Sequence, residues 1–346
     1  MRKITTLIAV IIIDIVAVVL YGCGSDVKLK EYEMDFNVLS TNTIISIPLD
    51  IAVKGDSLLV NQYFGDKFLV WLSLKDGSLI KTDISKGNGR REMQGPLSVN
   101  SFSDSLLIYD RQRFGLYKTD FMCDSIITAI ERLPFWTTKV FPFKNGNMLV
   151  SKIPFGVEDA EIADTRFAIM RGDSVLSHFG DYPRLSNSDK ESDSEELANF
   201  HQILGFQELP DNEFAVVSSH VLSLYSASED GYVLKKEVAV APYEYNTRAA
   251  TQNQSAMSSL KEGESIGVPI GLAYHSGKIY LPFQETEDDD IVIMCYDMDL
   301  NLVGTIKPAV SIMPPFVIDD NGRIVALSEN DKETSIVVST TSVDDI

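Results

Sequence analysis

Cysteine is scarce in this chain: Cys23, Cys123 and Cys295 are the only three. At 346 residues that count excludes a disulfide scaffold, and the lack of any C-x-x-C excludes a zinc ribbon or a dithiol redox centre. Cys123 and Cys295 read instead as small core or turn residues. Histidine is nearly as rare. His178, His201, His220 and His275 include no pair one helical turn apart, the clustering that a zinc site needs, so neither a metal nor a cofactor is expected. No G-x-S-x-G elbow is present to hold a serine nucleophile. Basic charge is short as well: 30 Lys and Arg against 50 Asp and Glu give a formal charge of −20. So acidic a body is repelled by phosphate backbones and anionic headgroups, which excludes nucleic acid as a partner.

One apolar run stands out at the N-terminus. Arg2 and Lys3 precede Ile4–Leu20, and Leu20-Tyr21-Gly22-Cys23 follows. A short positive start, an apolar stretch and a small residue before the cut make a secretory signal. A cysteine directly after the small residue has the form of a bacterial lipobox, in which Cys23 is diacylated and becomes the new N-terminus. Acyl chains contributing about 0.8 kcal/mol per buried CH₂ would hold the protein on a membrane while its polar body stays in water. Asp14 interrupts the run and Tyr21 is bulkier than is usual before the glycine. An uncleaved anchor and plain secretion therefore stand as alternatives, although a spanning helix wants about 20 apolar residues. The expected organisation is a signal peptide over residues 1–22, a lipidated tether over 23–40 and a folded body over 41–346. The expected location is the outer membrane, facing the periplasm or the cell surface.

After residue 40 the chain becomes a succession of short β-branched and aromatic runs set between Gly, Asp and Asn. A tight turn followed by a strand recurs six times. The copies are Gly55-Asp56-Ser57-Leu58-Leu59-Val60, Ser103-Asp104-Ser105-Leu106-Leu107-Ile108, Asn145-Gly146-Asn147-Met148-Leu149-Val150, Asp211-Asn212-Glu213-Phe214-Ala215-Val216, Ser276-Gly277-Lys278-Ile279-Tyr280-Leu281 and Asn321-Gly322-Arg323-Ile324-Val325-Ala326. A second strand and a second polar turn follow, as in Phe68–Leu72 with Lys75-Asp76-Gly77. Four-stranded units of about 40–50 residues are the signature of propeller blades, so six copies predict an all-β, six-bladed β-propeller. Two intervals are longer and hold polar insertions at Asp181–Asn199 and Tyr243–Gly267. The last copy runs out after two strands, near Val338. An open ring would expose strand edges, so the strand-like Thr43–Ile47 is expected to supply the outermost strand of the sixth blade.

The segment Gly87-Asn88-Gly89-Arg90-Arg91-Glu92-Met93-Gln94-Gly95-Pro96 fits a G-x-G-x-x-E-[FM]-x-x-P motif. With the repeat, it resembles the TolB-like six-bladed β-propeller lipoproteins of Bacteroidota, over most of the chain that follows the signal peptide. The resemblance implies the propeller fold and an envelope location; it implies no particular chemistry. Arg90 and Arg91 stand where small residues or proline are more usual in that family.

The glycines of this loop do not form a dinucleotide cradle, because a strand-like segment, Leu97–Phe102, follows where a helix would be needed. Arg90, Arg91, Arg111 and Arg113 are unusual in so acidic a chain, and guanidinium forks suit carboxylates and phosphates. A propeller places the two loop classes that carry them on one face, around the central channel. The alternative is that they balance neighbours such as Glu92 and Asp110. Aromatic residues occupy equivalent loops at Tyr63, Phe64, Trp136, Phe155, Phe200 and Phe316; Tyr63 and Trp136 are retained as contacts for sugars or peptides. His201 and Gln202 are expected at the start of an inner strand, with His201 either facing the channel or held as a hydrogen-bonded structural residue. The acidic loop Glu285–Asp290 lacks the alternating spacing of a calcium loop. The expected ligand-binding set is Tyr63, Arg90, Arg111, Arg113, Trp136, His201 and Gln202.

These features point to a lipid-anchored binding or interaction module whose partner is an envelope protein, a glycan or a peptide. A hydrolase or lyase acting on glycans or peptides at the channel mouth is the second reading, and it rests on analogy with other propellers alone. A structural factor within an envelope complex is the third. If Cys23 carries the lipid, Cys23→Ala should leave the protein unprocessed or release it from the membrane fraction. A variant that is processed and sediments with membranes like the wild type would contradict the lipobox reading.

Overall fold

The computed structural model describes residues 29–89, 91–102, 105–152, 165–229, 231–248, 257–261, 270–286, 289–330 and 333–346. The expected signal peptide, Cys23, Arg90 and Phe155 lie outside them. Six four-stranded antiparallel sheets stand radially around a ring. Their inner strands are Pro48–Lys54, Pro96–Phe102, Thr137–Pro142, Ile203–Glu208, Ala273–His275 and Met313–Ile318, each touching the next and the last touching the first.

The six sequence copies all fall on the second strand of a blade: Ser57–Gln62, Ser105–Asp110, Met148–Lys152, Glu213–Ser218, Lys278–Phe283 and Ile324–Asn330. These strands are covered on both faces, so their apolar residues run consecutively instead of alternating with polar ones. Alternate side chains serve different cores. Leu58 and Val60 pack with Val325, Leu327 and Ile336 of the sixth blade, whereas Leu59 packs with Leu106 and Ile108 of the second. The division repeats around the ring: Leu107 with Val140 and Val150, Leu149 with Phe214 and Val216, Ala215 and Val217 with Ile279 and Leu281, Tyr280 with Ile324 and Ala326. Each fully buried side chain of this kind contributes roughly 1.5–3 kcal/mol. Trp71 sits wholly inside the core between blades one and two, its indole N–H donating to Phe121 O at 3.0 Å. Cys123 and Cys295 are free and buried, and burial pushes both thiols up to about 12.

The outermost strand of the sixth blade is Phe36–Ser40, paired antiparallel with Glu333–Ser339, and not the expected Thr43–Ile47. The stretch read as a tether also supplies Lys30–Met34, which pairs in parallel with Leu302–Pro308 of the fifth blade. One short segment thus covers two neighbouring edges. Residues 41–47 form no strand because side chains satisfy their backbone. Thr41 Oγ1 donates to Thr43 O at 2.9 Å and to Thr334 O at 2.9 Å, and Gln62 Oε1 accepts from Ser46 N at 2.9 Å.

Alternating strand direction gives the ring two faces. The turns between first and second strands lie on one, called here the turn face. The C-terminal residues rest there: Val343 N donates to Gly322 O at 2.8 Å, and Lys278 Nζ donates to Ile346 O at 3.2 Å. Gly322 has φ +73°, and a Cβ there would meet Ser342 Oγ at 2.1 Å, so only glycine suits this turn. The connections between second and third strands, and those between blades, lie on the opposite, mouth face. The two insertions belong to the latter class. One forms the short helices Asn187–Glu191 and Ser194–Phe200; the other carries the hairpin Tyr245–Arg248 with Met257–Leu260.

Met34 is 1% exposed within the core shared by blades five and six, whereas Val38 on the adjoining strand is 50% exposed. Met34→Ala should therefore lower unfolding free energy by about 2–5 kcal/mol, and Val38→Ala by under about 0.5 kcal/mol, both read by denaturant melts. Equal and small effects would mean that the N-terminal segment does not complete the ring.

Candidate functional site

The mouth face collects the loops on which the expected site residues lie, and the structure separates those residues into distinct groups. The glycine motif is a closed staple. Glu92 folds back so that its Oε2 accepts from Gly89 N at 2.7 Å, and a Cβ on Gly87 would stand 2.1 Å from that same oxygen. The fully buried Asp110 accepts from Gln94 N at 2.8 Å, Gly95 N at 3.2 Å and Gln112 N at 3.1 Å. Arg113 donates to Gly87 O at 2.8 Å and lies 3.8 Å from the Asp110 carboxylate. Arg91 reaches Asp83 on the outer strand of the first blade at 2.6 Å, and also Cys123 O. Arg91 and Arg113 are thus tied into the scaffold by nearby carboxylates and carbonyls and offer no open fork. Arg111 is exposed on the turn, its backbone N–H bonded to Gly95 O at 3.2 Å; Arg91 is exposed too but engaged by the contacts above.

The aromatic residues fall into two clusters. Tyr63 and Phe64 meet edge to face at 4.6 Å and both are exposed. The connecting loop before the first blade carries Ile44, 81% exposed, and Ile47, 57% exposed, and is joined to the Tyr63 loop by Tyr63 N donating to Ile47 O at 3.1 Å. Ile47 has φ +32°, a left-handed conformation that a β-branched residue adopts only under strain of about 1–3 kcal/mol. Ile44 and Ile47 were hidden in the sequence because Thr43–Ile47 alternates like a strand, when in fact only Ile45 turns inward. Trp136, 44% exposed, packs on Phe114 with ring centroids 4.7 Å apart, so it stands against the turn that carries Arg111 and Arg113. Phe316 is buried in the ring, and Phe200 stacks on Tyr245 at 3.7 Å inside the insertions.

His201 does not face the channel. It ends the helix Ser194–Phe200, two residues before the inner strand, and is buried against Asp189 of the other helix. Asp189 gathers five donors: Leu185 N and Ser186 N at 3.0 Å each, His201 Nε2 at 2.7 Å, Tyr245 OH at 3.0 Å, and Tyr243 OH. Burial alone would raise this carboxyl, but the bonds from His201 and Tyr243 hold it at about 2. Burial lowers the His201 imidazole, against the pull of Asp189, and Nε2 donates to that carboxylate, which can only accept. Glu244 works in the opposite direction along the chain, accepting from Asn187 N at 3.0 Å and Ser188 N at 2.8 Å. A carboxylate offers about four lone-pair sites, and those of Asp189 are filled by the protein itself. The cluster therefore locks the two insertions together and presents no open position to a substrate. Gln202, partly buried, simply links the helix to the inner strand.

In the acidic loop, Asp289 Oδ2 accepts from Thr286 N at 3.0 Å and Thr286 Oγ1 at 2.7 Å, closing its own turn; Glu287 and Asp288 lie outside the described residues. Among the described residues no three His, Cys, Asp or Glu side chains are grouped as metal ligands.

A model of the TolB-like 6-blade propeller-like family matches residues 30–312. Among solved structures, a Bacteroides fragilis NCTC 9343 protein whose name marks it as inferred to be exported aligns with a TM-score of 0.58 at 12% identity, covering 90% of this chain and 99% of that one. Regucalcin from Agrobacterium tumefaciens, named as a calcium-binding protein, aligns with a TM-score of 0.50 at 12% identity, covering 90% and 97%. At such identities these likenesses show the fold alone. No protein of curated function matches the sequence.

The Asp189 carboxyl is depressed in the folded state, from 3.8 to about 2. Its stabilisation is complete above about pH 4 and is lost as pH falls through about 2, amounting to roughly 2–3 kcal/mol. His201, lowered on folding, adds a loss of the same sign as pH falls below about 6.5. Asp189→Asn should shrink the acid step and lower stability at pH 7 by about 1–3 kcal/mol. Denaturant melts across pH 2–7 check this; an unchanged acid step in the variant would contradict it.

Proposed function

The chain belongs to the TolB-like six-bladed propeller family, and on that footing we propose that it is a lipid-anchored binding module of the bacterial envelope. Its docking surface is the mouth-face patch of Ile44, Ile47, Tyr63 and Phe64, and its partner is a polypeptide. The observation that carries this reading is the exposure of four large apolar side chains on two loops tied to each other. Grouped aromatic and aliphatic side chains of this kind mark interaction surfaces on soluble proteins. Two isoleucines offer nothing to sugar hydroxyls, which favours a polypeptide over a glycan. Export is supported by the N-terminal sequence pattern, and the name of the Bacteroides fragilis relative accords with it. The closed Asp189 cluster supports a scaffold role for the richest group of titratable side chains described above.

A photo-crosslinking residue at Tyr63, introduced in cells, should yield a discrete protein adduct that disappears when Ile44 and Phe64 are both changed to Ser. The same crosslinker at Val38, exposed on the outer rim, should yield none. Adducts of equal yield from both positions, or a Tyr63 adduct indifferent to the double change, would contradict a docking patch.

A further inference from the structure

We infer that the mouth face is turned away from the bilayer that anchors the protein, so that the patch at Ile44, Ile47, Tyr63 and Phe64 meets its partner in the aqueous space and never the anchoring membrane. This orientation applies to the protein held through Cys23, the anchor proposed above. It goes beyond that anchor in fixing which side of the ring the partner approaches.

The path of the chain carries the inference. Lys30 starts the parallel strand opposite Gly304, and it lines a groove of about 350 Å³ together with Lys278, Tyr280 and Ile346. Lys278 follows the turn between the first and second strands of the fifth blade and holds the C-terminal Ile346. His275, on the same turn, lies 2.9 Å from Asp344. The chain therefore enters the ring beside its own C-terminus, on the turn face. The patch lies on the connection from the outermost strand of blade six into blade one and on the loop between the second and third strands of blade one, both on the opposite face.

Reach decides the matter. Six residues lie between Cys23 and Lys30, and the seven steps, at about 3.3–3.6 Å each, span at most about 25 Å fully extended. A six-residue blade strand is itself about 20 Å tall. To lay the mouth on the bilayer, the leader would have to run nearly fully extended up that height, whereas with the turn face toward the bilayer it needs no such extension. Charge adds to this limit. A body of −20 is repelled by anionic headgroups, and nothing presses the mouth toward them. The exposed Asp66 beside Phe64 instead suits a polypeptide with an apolar anchor and basic flanks.

The test uses the full, lipidated protein on phosphatidylcholine vesicles containing a lipid with a nitroxide on its headgroup. A fluorophore is placed at Tyr63→Cys on the mouth or at Asn321→Cys on the turn face; Cys123 and Cys295 are buried and escape labelling. The Asn321 label should be quenched severalfold more than the Tyr63 label. Equal quenching, or stronger quenching at Tyr63, overturns the orientation. A benzophenone at Phe64 in the same vesicles should give no lipid adduct, and a lipid adduct would overturn it as well. Failure of the unlabelled protein to sediment with vesicles, with Cys23→Ala behaving identically, is a separate result that refutes the anchor and the orientation together.

Discussion

Everything in this molecule depends on the division of second-strand side chains between two neighbouring cores. Leu58 and Val60 face one blade and Leu59 the other, so a shift of register by one residue would send each to the wrong side. Six such interfaces closed into a ring bury the chain without any single centre. Because each blade is held by its neighbours, the loops at the two ends of the strands are free to differ, and the mouth face carries features unrelated to the repeat.

Two of those features are polar networks with a structural task. Asp110 and Glu92 organise the glycine motif, and Asp189 joins insertions that arise from different blades. In each case a carboxylate is surrounded by backbone and side-chain donors, which is how buried charge is tolerated in a protein interior. Against this background Ile44, Ile47, Tyr63 and Phe64 are mouth-face side chains left exposed by internal packing, and one of them is held in a strained backbone conformation.

The repeat was legible because each copy carries its own turn and its own apolar triplet, a signal contained within a few residues. The ring-completing strand Phe36–Ser40 was not, since its partner Glu333–Ser339 lies at the far end of the chain and five residues of mixed character carry no local mark of that pairing. Arg113 was found by type, but its ties to Gly87 O and Asp110 are contacts that no spacing announces. The same holds for Asp189, whose partners His201 and Tyr243 stand 12 and 54 positions away. Local chemistry can be read from sequence; convergence of distant side chains needs the fold.

The central claim is that the mouth face, and not the turn face or the rim, is where this propeller meets its partner. Hydrogen–deuterium exchange of the protein in isolated native membranes, compared with the purified protein, tests it most directly. The account predicts slowed exchange at residues 41–47 and 62–66 in the membranes, with the turn at residues 319–322 unchanged. Protection confined to the turn face or the outer rim would contradict it.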